Sequence, residues 1–272
     1  MTVVRFRQDG AVGHLILAGG PNNWVDDEFR HEIREAVHAA SESDIRALLI
    51  EAEGPNFSVG GAAHEWPGKS RDWFRTFIAE IDTAYRAIEA LRVPVVAAVR
   101  GLAVGGGFEL ALAADFLVAA ENAVFWNIEI NGNNVPLAGG LQRLATKIGP
   151  VKATKMAMLG EPTPVREIPE LASYVVPDDE LDEFAAKLAT RLSQGATQAL
   201  AVTRTLLKAW SIGGTAAADR LTHDLTIDLW DSPDTQAVFQ SVKENHDERV
   251  KAEGPDYAGP ATAPPHVIFT SR

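Results

Sequence analysis

In the stretch GLAVGGGFELALAAD, residues 101–115, Glu109 is the one ionisable side chain before the final aspartate. Its neighbours Phe108, Leu110, Ala111, Leu112, Ala113 and Ala114 are apolar on every side, which predicts a helix buried all round. A carboxylate in a first helical turn gains about 0.3–1 kcal/mol from the macrodipole, whereas burying it unpaired costs several kcal/mol. Helix capping therefore does not account for Glu109, and it is a candidate proton carrier. Gly105, Gly106 and Gly107 precede it. Glycines at a helix start leave unpaired backbone N–H groups with no Cβ in front of them, and such groups bind an oxyanion. A second pair, Gly60 and Gly61, ends the segment NFSV, so two backbone donors can converge on one carbonyl oxygen. Glu129, in AVFWNIEING, follows an apolar aromatic segment twenty positions after Glu109. Alone it reads as a solvent-facing loop residue. Beside Glu109 and two convergent donors, it suits proton transfer at carbon next to a polarised carbonyl.

Other chemistries fit less well. A dinucleotide fingerprint needs G-x-G-x-x-G; Gly105 and Gly107 supply two positions, but Leu110 occupies the third. Paired carboxylates also serve glycoside hydrolysis, yet acetal cleavage has no use for oxyanion glycines. No Asp or His stands at metal-ligand spacing from either glutamate, so no metal site is expected.

The elements that must position these residues follow from periodicity. Residues 2–7 and 12–17 are β-branched and flank QDGA, a hairpin pattern. Phe29, Ile33 and Val37 mark a helix over 26–40, residues 45–52 a strand, and residues 55–61 a second short strand ending in glycines. Phe74, Phe77, Ile78, Ile81, Tyr85 and Ile88 form one stripe of a helix over 71–91. A strand over 93–101, the Glu109 helix, and one bent or two short strands over 116–126 repeat a ββα rhythm. From about Ala145 the sequence is mainly helical, forming a second layer or lobe. The final stretch from residue 252 is rich in Pro and Gly, and is expected to be ordered only where something holds it.

Composition bounds the rest. The chain has 272 residues, 46% of them hydrophobic, enough for a substantial core. With no cysteine, disulfides and thiolate chemistry are excluded. A net charge of −12 argues against nucleic-acid binding through phosphate neutralisation. No uncharged apolar run reaches the roughly 18–20 residues of a membrane span, and the N-terminus lacks a signal pattern, so a cytoplasmic protein is expected.

Taken together, GPNFSVGG, VPVVAAVRGLAVGGGFELALAADFLVAAENAVFWNIEI, VPLAGGLQRL and VVPDDEL, in that order, resemble the crotonase superfamily, the enoyl-CoA hydratase/isomerase family, over roughly residues 3–210. The resemblance implies an α/β fold: a spiral of ββα units forming a core over residues 1–200 with the acyl-CoA site. A C-terminal helical trimerisation region and Pro/Gly-rich arm would follow over 201–272. It implies acyl-CoA thioester substrates, a homotrimer or dimer of trimers, and no metal or redox cofactor, coenzyme A being part of the substrate. Matched motif to motif, the oxyanion donors fall on Gly61 and Gly106, and the catalytic glutamates on Glu109 and Glu129.

Departures from the family pattern fall around the acyl pocket. Ala62 stands where aspartate is common, Trp126 occupies a glycine position, and Asn133 and Leu137 replace usual glycines. Trp126 and the cluster Asn127, Asn131, Asn133 and Asn134 are expected to line or support that pocket, with Gly105 and Pro136 beside them. The loop 62–73 is expected to border it, offering His64 and Trp66 either as substrate contacts or as a surface histidine and a packing tryptophan. Two retained glutamates favour a 2-enoyl-CoA hydratase. The alternatives are an isomerase or C–C lyase of the same superfamily, or a non-catalytic acyl-CoA-binding subunit, which would have no use for buried proton carriers.

Overall fold

A computed structural model describes residues 2–254 and 268–270 and divides the chain into two compact units, residues 1–193 and 194–272. Most of the Pro/Gly-rich arm lies outside the described residues.

The first unit opens with β1 (Val4–Asp9) and β2 (Val12–Leu17), an antiparallel hairpin, followed by α1 (Asp27–Glu42), capped by the Asp26 carboxylate. Next come β3 (Ala47–Ala52), α2 (Arg71–Ala90), β4 (Val95–Val99), β5 (Leu102–Val104) and α3 (Gly106–Leu112). After these follow β6 (Phe116–Ala120), β7 (Val124–Trp126), α4 (Gly140–Ile148), α5 (Pro150–Leu159), β8 (Thr163–Pro164), β9 (Tyr174–Val176) and α6 (Leu181–Ser193). One sheet has the order β1-β2-β3-β4-β6-β9, parallel after the opening hairpin; the other has the order β5-β7-β8. The β4–β5–α3 and β6–β7–α4 turns each give one strand to each sheet, whereas β1 and β2 both lie in the first.

The first sheet is covered on both faces, so β4 is buried at every position. Its side chains alternate: Val95, Ala97 and Val99 join the core formed with α1, α2 and α3, while Val96 and Ala98 face Leu181, Ala185 and Leu188 of α6. The helices α4, α5 and α6, expected in a separate layer or lobe, belong to this first unit.

Segment 55–61 differs from the expected strand. It makes only isolated parallel bridges, Ser58 with Ala103 and Val25 with Gly61. The Gly60 turn, with φ +80°, ends the pairing there. The Glu109 helix also ends at Leu112, short of Asp115, whose side chain accepts from the Val95 N–H.

The second unit contains α7 (Thr197–Trp230), kinked at Gly213 and Gly214, and α8 (Pro233–Glu253). Sequence periodicity had marked two helices where α7 runs, and the glycines between them form the kink. The helix α8 falls in the expected C-terminal helical region, although periodicity does not delimit it; its start is set by the Ser232 cap and Pro233. No helix among the described residues is long and apolar enough to cross a membrane.

Candidate active site

Two adjacent chain segments build the floor of the site. Ser58 N–H donates to Leu102 O and Val104 N–H to Ser58 O, so segment 57–61 runs parallel to β5 with Ser58 opposite Ala103. Beyond this bridge Gly61 pairs with Val25, and a Cβ on Gly60 would stand 3.4 Å from the Gly106 nitrogen, so the two glycine turns lie side by side. The residues before Gly61 and Gly106 are left-handed glycines, Gly60 at φ +80° and Gly105 at φ +48°, which turn the chain out of the ladder. Neither the Gly61 nor the Gly106 N–H has a hydrogen-bond acceptor among the described residues. The approach is close enough to require glycine. A Cβ on Gly60 would stand 2.5 Å from Val104 O, and one on Gly107 2.4 Å from the Ser58 Cβ.

Glu109 is 2% exposed, and its Oε1 accepts from the N–H groups of Ala138 and Gly140, both at 2.8 Å. Gly140 begins α4, so the carboxylate sits at the N-termini of two helices. Burial pushes its pKa up; the N–H groups of Ala138, Gly140 and Leu137 and the Arg143 guanidinium act in the opposite direction. Arg143 is itself held by Glu89 and by Ala138 O. Beneath the floor, the buried Tyr85 hydroxyl donates to Gly106 O at 2.9 Å.

Glu129 starts a 3-10 turn, Glu129–Gly132, after β7. Its Oε2 is buried with no hydrogen-bond partner among the described residues. Burial first, and then the charge of Glu109, push its pKa from 4.5 up to about 7, while its own backbone N–H acts against them.

A cavity of about 690 Å³ brings these groups together: Gly61, Gly105, Gly106, Glu109 and Glu129 all line it. Its walls are mainly apolar, with Trp24, Trp66, Phe77 and Trp126 as aromatic members and Ile78 and Ile81 from α2. Of the other candidates, His64 and Trp66 both reach the cavity. His64 is largely exposed and meets the Trp24 ring edge-on at 5.2 Å, while Trp66 packs edge-on between Phe74 and Phe77. Asn131 and Asn134 also line it.

Four expected pocket residues do not line the cavity. Ala62 is buried, with its N–H donated to Val25 O. Asn133 is exposed and closes the 3-10 turn at φ +54°, a left-handed position where asparagine is the usual substitute for glycine. Pro136 and the wholly buried Asn127 are likewise absent from the lining. Trp24, Phe77, Ile81 and Ala138 were not singled out from sequence. The α2 stripe announced a buried face for Phe77 and Ile81, but a core contact and a cavity wall have the same periodicity. Trp24 follows two asparagines in a loop and carried no signal.

The model of the enoyl-CoA hydratase/isomerase family matches residues 6–249, and the chain belongs to that family. A Bacillus subtilis protein named "Probable enoyl-CoA hydratase" is 26% identical, over 93% of this chain and all of its own. The carnitinyl-CoA dehydratase of Proteus mirabilis is 31% identical, over 74% of this chain and 78% of its own. The crystal structure of the enoyl-CoA hydratase from Bacillus anthracis superposes with a TM-score of 0.84 at 25% identity, covering 89% of this chain and 96% of that one.

Proposed function

We propose that the protein hydrates 2-enoyl-CoA thioesters, holding the thioester oxygen on the Gly61 and Gly106 N–H groups. The observation that carries this reading is that two carboxyl groups and two uncommitted N–H groups face one cavity. The donors draw electron density from the conjugated alkene and stabilise the enolate, each being worth about 2.7–4 kcal/mol in the transition state. Hydration needs a base for the water and an acid for the α-carbon together. The two environments fit that division. Burial raises the Glu109 pKa, and the N–H groups of Ala138, Gly140 and Leu137 with the Arg143 guanidinium oppose that rise; in its charged form Glu109 takes the proton of the attacking water as oxygen adds to the β-carbon. Glu129, desolvated and without a partner on Oε2, retains a proton near neutral pH and delivers it to the α-carbon as the enolate collapses. Water is the only co-reactant, and no step calls for a metal or redox cofactor. The names of the relatives, a hydratase and a dehydratase, describe the two directions of such a reaction.

The test uses crotonyl-CoA, 2-octenoyl-CoA and cinnamoyl-CoA in ¹⁸O-labelled water. The product is expected to carry label at its β-hydroxyl, and Glu109→Gln and Glu129→Gln are each expected to slow turnover by about 10²-fold or more while acyl-CoA still binds. A shifted double bond without label, or a Gln variant near wild-type rate, would replace this reading by the isomerase alternative.

A further inference from the structure

The two glutamates are held in different ways. Two N–H groups grip the Glu109 carboxylate directly, whereas Glu129 Oε2 is buried without a partner. The orientation of Glu129 must therefore come from its backbone. That backbone is tied on both sides to one atom: the Trp126 indole Nε1–H donates to Gly160 O at 2.7 Å, and the Asn131 amide Nδ2–H donates to the same oxygen at 2.9 Å. Trp126 lies three residues before Glu129 and Asn131 two residues after it. Gly160 is the C-cap of α5, at φ +59°, with its N–H on Met156 O. Its carbonyl is thus a buried helix-end acceptor, of the kind that α-helices leave without an intrahelical partner. The fit is tight, since a Cβ on Gly160 would stand 2.5 Å from the Ile130 side chain and 2.8 Å from Asn131 Oδ1. Trp126 also connects to the oxyanion side, because its own carbonyl accepts from the Gly105 N–H at 2.9 Å.

We propose that Trp126, Asn131 and the Gly160 carbonyl form a clamp that positions Glu129 relative to Gly106, with Trp126 and Asn131 as positioning residues. The clamp spans both ends of the Glu129 segment and fixes it against the end of α5, leaving Oε2 without a donor. A tryptophan where the family pattern has glycine acquires a role in this way, since glycine has no side-chain donor for Gly160 O. The proposal rests on the hydratase reading only in naming Glu129 as a proton carrier.

The experiment compares the full chain with Trp126→Phe, Asn131→Leu and the double variant, both changes removing the donor while keeping bulk. The first readout needs no substrate: the pKa of Glu129, from infrared titration of its carboxyl C=O band, assigned by its loss in Glu129→Gln. Glu109 is the charged group that acts on Glu129, so the titration is repeated in Glu109→Gln to separate its share. Loosening the turn admits water to Glu129, so its pKa is expected to fall by about one pH unit in each single variant and further in the double one. Asn131 is exposed, so its variant remains informative if the Trp126 change impairs folding. With crotonyl-CoA, kcat is expected to fall about tenfold while KM stays within about threefold. Folded variants with an unchanged Glu129 pKa, or with KM raised at unchanged kcat, overturn the clamp. A lowered pKa in a protein that leaves all enoyl-CoA probes unhydrated supports the clamp and removes the hydratase reading instead.

Discussion

Glu129 gives the residue scale a thermodynamic signature that does not depend on the identity of the substrate. Its folded pKa of about 7 lies above the ordinary 4.5, so between these values the folded state binds more protons than the unfolded chain. The stability this contributes is fully present below about pH 4.5 and is lost as pH rises through 7, where the carboxylate must be held charged in a desolvated place. Glu129→Gln removes that charge. The variant is expected to be more stable than wild type at pH 8, by about 2 kcal/mol after allowance for partial solvent access, with the difference vanishing toward pH 4.5. Urea unfolding of both proteins at pH 4.5, 6 and 8 checks this; a constant difference across the range would show that Glu129 titrates normally. A carboxylate costly to the fold at the pH where it works is the trade expected of a proton carrier.

At the scale of elements, Glu109 answers to two demands at once, since its Oε1 also closes the N-terminus of α4. Glu109→Gln retains an acceptor oxygen for Ala138 and Gly140, whereas Glu109→Leu leaves two buried N–H groups without one. Loss of turnover is expected in both, but a stability loss of about 2–4 kcal/mol only in Leu, read by denaturant titration. Equal stability of the two variants would show that the cap contributes nothing. Sequence alone exposed half of this residue. The conflict between an apolar helix and a carboxylate was legible because it is local, while the partners at 138 and 140 lie about thirty positions away, in the turn that leads into a different helix and at that helix's first residue. The same division runs through the fold. The α2 stripe, the opening hairpin and the β-branched β4 could be read because each repeats its pattern within one segment. Segment 55–61 looked like a strand from its composition, but its pairing is cut short by the Gly60 turn, which local periodicity does not report. Asn133 was misread as a pocket residue for a related reason: a polar side chain in a loop looks the same whether it faces a ligand or relieves a left-handed φ.

At the scale of the whole molecule, the C-terminal unit raises a question of covering. In α7, Leu207, Trp210, Ile212 and Ile227 are exposed by half or more, and Leu221 by 40%. Single exposed apolar residues are ordinary, but several on both limbs of the kinked α7 are what an interaction surface would present. The family resemblance implies that this region forms a trimer, in which a second and third copy of the chain would supply an apolar partner. We therefore expect three or six chain masses by light scattering at micromolar concentration. Leu207→Asp combined with Ile212→Asp should lower that mass, because a charge placed in an apolar interface is desolvated without a counter-ion. The cavity residues all lie within residues 24–138, so a dissociated but folded variant also shows whether the site is complete in one chain. Retained turnover by the monomer would place the whole of the chemistry in the first unit and leave assembly a role in stability alone. A wild-type protein that scatters as a monomer would show instead that these side chains serve some purpose other than self-association.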